Sequence, residues 1–164
     1  MNILASNGRK NFFKVTYTSD SPRTTRALGA LLARELRGKK GPTVLALKGD
    51  LGSGKTTFLK GFARGLAIRK PVSSPTFLIA RGYKFSHGAS ESPGRFYHVD
   101  AYRISRVKEF RSLGWERIVS DPAHIVAIEW AEHVPKRMLP SSIEISFSHL
   151  SPKRRIITLQ TSRA

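Results

Sequence analysis

The run Gly49-Asp50-Leu51-Gly52-Ser53-Gly54-Lys55-Thr56-Thr57 sets a glycine, four residues, a glycine, a lysine and a hydroxyl in the order that holds a nucleoside triphosphate. Physical chemistry accounts for each position. Glycines permit backbone conformations that a Cβ forbids, so successive N–H groups can turn inward around a β-phosphate. Lys55 brings a mobile positive charge to the β- and γ-oxygens, Thr56 offers a hydroxyl to Mg2+, and the helix that follows presents its positive end. Two carboxylates complete the reactive candidates. Phe96-Tyr97-His98-Val99-Asp100 and Ile125-Val126-Ala127-Ile128-Glu129 each read as a strand running into an acid, in a chain with 11 acidic residues. Phosphate-loop proteins use such an acid to hold Mg2+ through water or to orient an attacking water. Lys55, Asp100 and Glu129 are therefore the catalytic candidates, and which acid acts as base stays open.

These residues need elements to position them. Thr43 to Leu47 is a short apolar segment of buried-strand type directly before the glycine loop, and Phe58, Leu59, Phe62 and Leu66 fall on one helical face directly after it. Upstream, Phe12 to Thr18 alternates as a strand, and Ser19-Asp20-Ser21-Pro22 signals a helix start. Leu28, Leu31, Leu32 and Leu36 form the buried stripe of that helix, which ends over 38–42. Downstream, Val72 to Phe77 is a hydroxyl-rich turn placed where such proteins keep a γ-phosphate sensor, followed by a strand-like run from Phe77 to Ala80. His87 to Gly94 reads as a polar loop tip, Val107 to Leu113 as a short helix stopped by Gly114, and Trp115 to Val119 as another helical turn. Ser142 to Phe147 and Arg155 to Gln160 alternate cleanly and predict two closing antiparallel strands.

Composition bounds the function. At 164 residues, 40% hydrophobic and 24% charged, the chain is expected to form one globular domain over 1–164, with 1–11 as a flexible lead. The absence of cysteine excludes disulfides, thiol nucleophiles and cysteine zinc sites, and the five histidines have no metal-ligand spacing. No apolar run reaches signal-peptide or membrane-span length, so no membrane partner is expected and a cytoplasmic protein is the default. Charge is the outlier: 29 Lys and Arg against 11 Asp and Glu give +18, which favours polyanionic partners. The basic residues are spread along the chain, with tight groups only at Arg9-Lys10, Lys39-Lys40, Arg69-Lys70, Lys136-Arg137 and Lys153-Arg154-Arg155.

Taken together, GDLGSGKTT, SSPTF, FYHVDAYR, SLGWERI and VAIEWAE, in this order from about Asp20 to Leu159, resemble the TsaE family. These are small bacterial ATPases required for threonylcarbamoylation of adenosine 37 in tRNA. The resemblance implies an α/β, P-loop NTPase-like three-layer sandwich with a central mixed, largely parallel sheet and C-terminal antiparallel strands. It implies ATP and Mg2+ as cofactors, TsaB and TsaD homologues as partners, and tRNA met directly or through that complex. On matching residues, Gly49 to Thr56 would hold phosphates, Thr56 and Glu129 would hold Mg2+, and Asp100 would act near the γ-phosphate. Thr76 would belong to a switch-like element, Trp130 would lie beside the nucleotide, and Thr25 and Arg155 would lie near the adenine. From its own position after a core strand, Trp130 reads as packing. The helix after the Tyr102-Arg103 element departs from the family's usual acidic character, carrying Arg106, Lys108, Arg111 and Arg117.

Two other classes share these residues. A small-molecule or nucleoside kinase would use the same loop but needs an arginine-rich lid, and His87 to Gly94 contains no arginine. A basic ATP-dependent RNA-binding module would stack bases on Tyr83, Phe85, Tyr97 and Tyr102, between Lys84, Arg95 and Arg103.

Overall fold

The computed structural model describes residues 13–37, 43–75, 79–86, 94–104 and 107–161. Residues 1–11, Thr76 and the bulk of the His87 to Gly94 loop, on which three of the expectations above fall, lie outside the described residues.

Seven strands form one sheet: β1 (Lys14–Ser19), β2 (Thr43–Lys48), β3 (Ala80–Phe85), β4 (Gly94–Asp100), β5 (His124–Glu129), β6 (Ile143–His149) and β7 (Arg155–Thr161), in the spatial order β1-β7-β6-β2-β5-β4-β3. The four central strands β6, β2, β5 and β4 run parallel. At the edges β1 and β7 pair antiparallel, as do β7 with β6 and β3 with β4. The mixed sheet and the closing antiparallel pair expected from the sequence are both present.

Helices α1 (Pro22–Leu36) and α2 (Lys55–Gly65) cover one face, and the short helices α3 (Val107–Ser112) and α4 (Trp115–Ser120) cover the other. Strand alternation divides the core accordingly. Leu45 and Leu47 of β2, Phe96 of β4 and Ala127 of β5 pack with Leu28, Leu32, Phe58 and Phe62. Their neighbours Val44, Ala46, Val99, Val126 and Ile128 pack with Phe110, Trp115 and Ile118 on the opposite side. This parity later decides which way the acids face.

The first helix starts as its signals predict: Pro22 occupies the first turn, and the Thr24 N–H donates to the Ser21 hydroxyl at 3.2 Å. Against it α2 packs backbone to backbone. A Cβ on Gly61 would overlap the Arg26 carbonyl, so only glycine lets the two helices approach this closely. Gly114, expected as a helix stop, follows α3 and opens α4 at φ 69°.

The strand-like run read from Phe77 to Ala80 falls in part on 77–78, outside the described residues; among those described, β3 begins at Ala80, after Ile79 at φ 62°, whose carbonyl accepts from Asp100 N–H at 2.9 Å. The base-stacking set is not assembled: Tyr83 and Phe85 are each only 5% exposed, and Tyr83 stacks on the core ring of Phe96. Strand packing has claimed them. Among the described residues no helix is long and apolar enough to cross a membrane.

Candidate functional site

The site grows from the carboxyl ends of the parallel strands, where open α/β sheets present ligand crevices. β2 runs into the glycine loop, whose Gly49, Gly52 and Gly54 stand at φ 133°, 74° and 107°. At Gly49 this conformation is combined with a close approach, since a Cβ there would overlap the Phe147 carbonyl of β6. The loop then enters α2 at Lys55. Ser53 Oγ is buried in this loop with no hydrogen-bond partner among the described residues, a polar atom suited to an anionic ligand.

The two acids meet because β4 and β5 are parallel and in register, with Asp100 directly opposite Glu129. Glu129 shares its side of β5 with Ala127, so it faces the α2 layer. There Thr56 Oγ1, in the first turn of α2, donates to Glu129, with 2.9 Å to each carboxylate oxygen. His98, two residues before Asp100 and on the same strand face, is fully buried and places Nε2 2.8 Å from Glu129 Oε1. Its Nδ1 has no partner among the described residues. Asp100 is fixed from both sides: Oδ2 accepts from the Ser74 hydroxyl at 2.5 Å and Oδ1 from the Tyr102 N–H at 3.0 Å.

Lys55 is buried and folded back on its own loop. Its ammonium donates to the carbonyls of Gly49 at 2.5 Å and Asp50 at 2.9 Å, and lies 3.7 Å from the centroid of the Trp130 ring. Burial pushes its pKa below the ordinary 10.5, while the carboxylates of Glu129, Glu132, Asp100 and Asp50 pull the other way. Trp130 thus joins core and site: it is partly buried against the Val99, Phe110 and Trp115 cluster and also meets Lys55. At φ 59° it turns out of β5 and meets Tyr102, 55% exposed, with ring centroids 4.9 Å apart and planes tilted by 48°.

These groups line a cavity of about 390 Å3, bounded by the loop and helix start from Leu51 to Thr57 and by Asp100, Tyr102, Glu129 and Trp130. Gly49 and Asp50 do not line it, and act through the carbonyls that hold Lys55. Leu51 projects from the loop tip at 84% exposure. Thr25 and Arg155 also come to the loop: Thr25 lies beside Gly54, and Arg155 Nη2 donates to the Gly52 carbonyl at 3.3 Å. Sequence reasoning missed His98, Ser74, Tyr102 and Glu132, whose carboxylate accepts from Gly49 N–H at 3.4 Å. For His98 a signal existed, since strand alternation sets it on the same face as Asp100.

Metal chemistry can be tested on the donor set. Thr56 Oγ1 and the Glu129 and Asp100 carboxylates are hard oxygen donors. Among the described residues no three His, Cys, Asp or Glu side chains converge to hold a metal unaided. This pattern fits Mg2+, which is held through one or two carboxylates together with substrate phosphates.

A glycine loop opening a helix at the carboxyl edge of a parallel-centred sheet defines a P-loop-like α/β fold of the nucleotide-binding kind. The family model for threonylcarbamoyl adenosine biosynthesis protein TsaE matches residues 19–157, and the chain belongs to the TsaE family. It is similar to the tRNA threonylcarbamoyladenosine biosynthesis protein TsaE of Bacillus subtilis strain 168, at 34% identity over 138 residues, covering 84% of this chain and 80% of that protein. The proteins of the same name from Borreliella burgdorferi and Nostoc sp. are 43% and 40% identical over 89 and 116 residues, covering 54% and 68% of this chain. Those matches span 60% and 65% of the two relatives' own lengths. Among solved structures, Bacillus subtilis YdiB superposes with a TM-score of 0.70 at 28% identity, covering 92% of this chain and 86% of that one.

Proposed function

We propose that this chain is a Mg2+-dependent ATPase that serves threonylcarbamoylation of adenosine 37 in tRNA, in one cytoplasmic domain acting on a complex of TsaB and TsaD homologues. The observation that carries the reading is the convergence of Thr56, Glu129 and Asp100 at the mouth of a glycine loop that also holds Lys55. Family membership supports the tRNA pathway.

The residues divide the work by position. The loop amides from Leu51 to Thr57 cradle the phosphates, and Lys55 leaves the Gly49 and Asp50 carbonyls to neutralise the β- and γ-oxygens. Thr56 and Glu129 would hold Mg2+, which when bound supplies charge neutralisation on the same oxygens. Asp100, held by Ser74 and Tyr102, orients the attacking water, while Trp130, against Lys55, and Tyr102 wall the cavity. Thr25 and Arg155 lie beside the loop, on the side assigned to the adenine. Thr76 follows Ser74 by two residues and is assigned to the segment that responds to the γ-phosphate.

Phosphate release from ATP by the purified chain, with Lys55→Ala in parallel, tests the reading. Slow, Mg2+-dependent release that vanishes in the variant is expected. Release that persists in Lys55→Ala, or transfer of phosphate to a member of a nucleoside panel instead of water, would overturn it.

A further inference from the structure

At the far end of α2 from the phosphate loop lies a second concave surface, a groove of about 780 Å3. Lys60, Arg64, Arg69 and Lys70 form its rim, and Ile68 and Val72 its floor. All four cations are exposed. None is ion-paired among the described residues, and no acid lines the groove.

The local fold assembles this rim. Lys60 and Arg64 are four residues apart on α2, hence on one face and separated by about 6 Å along the axis. Ala67 at φ 61° then reverses the chain, fixed by Ala67 N–H to Arg64 O at 3.0 Å and Ile68 N–H to Ala63 O at 3.0 Å. That turn returns Arg69 and Lys70 beside the helix end. Favourable interaction with the helix dipole does not account for the cluster, because the carboxyl end of a helix carries only about half a negative charge against four cations.

Elsewhere the positive charge is offset or spread. The cavity at the phosphate loop contains Asp100 and Glu129. The groove around Lys14, Lys48 and Lys136 contains Glu132 and Glu144, with Lys48 paired to Glu144 at 3.1 Å. Of these three, the groove at the end of α2 is the one lined by cations with no acid among the described residues.

The chemistry of the lining selects the ligand. Among the described residues the large exposed apolar side chains, Leu51, Tyr102 and Leu150, all lie outside the groove lining, which offers a lipid surface no anchor there. Among the described residues no aromatic ring lines the groove, which offers unpaired bases no stacking platform there. What remains is recognition of regularly spaced phosphates. In a family of tRNA threonylcarbamoyladenosine biosynthesis, an RNA helix is the polyanion at hand. We propose that this groove binds the phosphate backbone of an RNA helix, independently of base sequence. The proposal rests on family membership and not on ATP hydrolysis. Along α2 the groove runs from Lys60, about 8 Å from Lys55 along the helix axis, to the helix end about 16 Å away, and its Ser73 adjoins Ser74 of the phosphate-loop cavity.

The test is the salt dependence of binding between the full-length chain and a fluorescein-labelled RNA hairpin, followed by anisotropy. Each phosphate contact contributes about 0.7 to 0.9 to the slope of log K against log salt. Replacing Lys60, Arg64, Arg69 and Lys70 by Gln should therefore flatten the slope by about three. A second variant replaces Lys108, Arg111, Arg117 and Arg137, exposed cations of the opposite layer, by Gln. It removes the same charge and should leave the slope within about one of wild type. Retained nucleotide binding and an unchanged circular dichroism spectrum show that both variants fold. Equal flattening in the two variants would mean that the charge acts without a site and would overturn the proposal. So would an unchanged slope in the groove variant, absence of wild-type binding at low salt, or equal affinity for polyglutamate.

Discussion

Gly61→Ala tests how the helix pair positions the site. Two effects of opposite sign compete. Alanine in place of glycine inside a helix is worth about 1 kcal/mol by propensity. Against this, the new methyl would overlap the O, C and Cα atoms of Arg26, all backbone atoms of α1 that cannot rotate away. A carbon needs roughly 3.3 Å from a carbonyl oxygen, so α1 and α2 must separate by on the order of 1 Å. Overpacking of this kind costs up to about 3 kcal/mol, leaving a net loss of about 2 kcal/mol. For a chain of 164 residues that lowers Tm by roughly 4–8 °C. Function should follow, because α2 carries Lys55 and Thr56 at its start, and a shift of about 1 Å at a reacting centre can cost 100-fold in rate. Differential scanning calorimetry with a nucleotide-binding titration measures both. A Tm equal to or above wild type would refute the close-packing argument.

Glu129→Ala removes the acceptor shared by Thr56 and His98; Mg2+-dependent turnover should fall at least 100-fold while Mg2+-independent nucleotide binding stays within a few-fold, read by kinetics and by titration without metal. Trp115→Phe deletes the Nε1 donor to the Met138 carbonyl, 2.8 Å away in a buried site, and should cost about 2 kcal/mol by urea denaturation. Burial alone would push the Glu144 carboxyl up, but the hydrogen bonds from Gln160 and Lys48 and the charge of Lys48 together hold it below 4.5. Its stabilising contribution is therefore present above pH 4.5 and lost as pH falls through the lower folded-state value. Glu144→Gln should flatten that part of the Tm against pH curve, and an unaltered acid limb would contradict the assignment.

What could be read from the sequence was local. The phosphate loop, the capped start of α1, the stripe of α2 and the acid-terminated strands each depend on residues close together in the chain, so spacing reveals them. The pairing of Asp100 with Glu129 depends on the parallel register of β4 and β5, which no local pattern encodes. His98 escaped for the same reason: a lone histidine in a strand is ordinary until its partner on the next strand is known. Tyr83 and Phe85 are buried, as alternation with apolar residues favours for rings in a strand. Trp130 does pack against the core, as its position after a strand suggests, but its positive φ, which also sets its ring beside Lys55, leaves no trace in residue type.

The most direct test of the account is ATP hydrolysis by the purified chain, alone and with TsaB and TsaD homologues and tRNA from the same source, with Lys55→Ala as control. Weak activity alone, a rise on adding the partners and its loss in Lys55→Ala are the predicted results. Full-speed hydrolysis by the isolated chain, or a rate indifferent to the partners, would contradict the claim that this ATPase serves that complex.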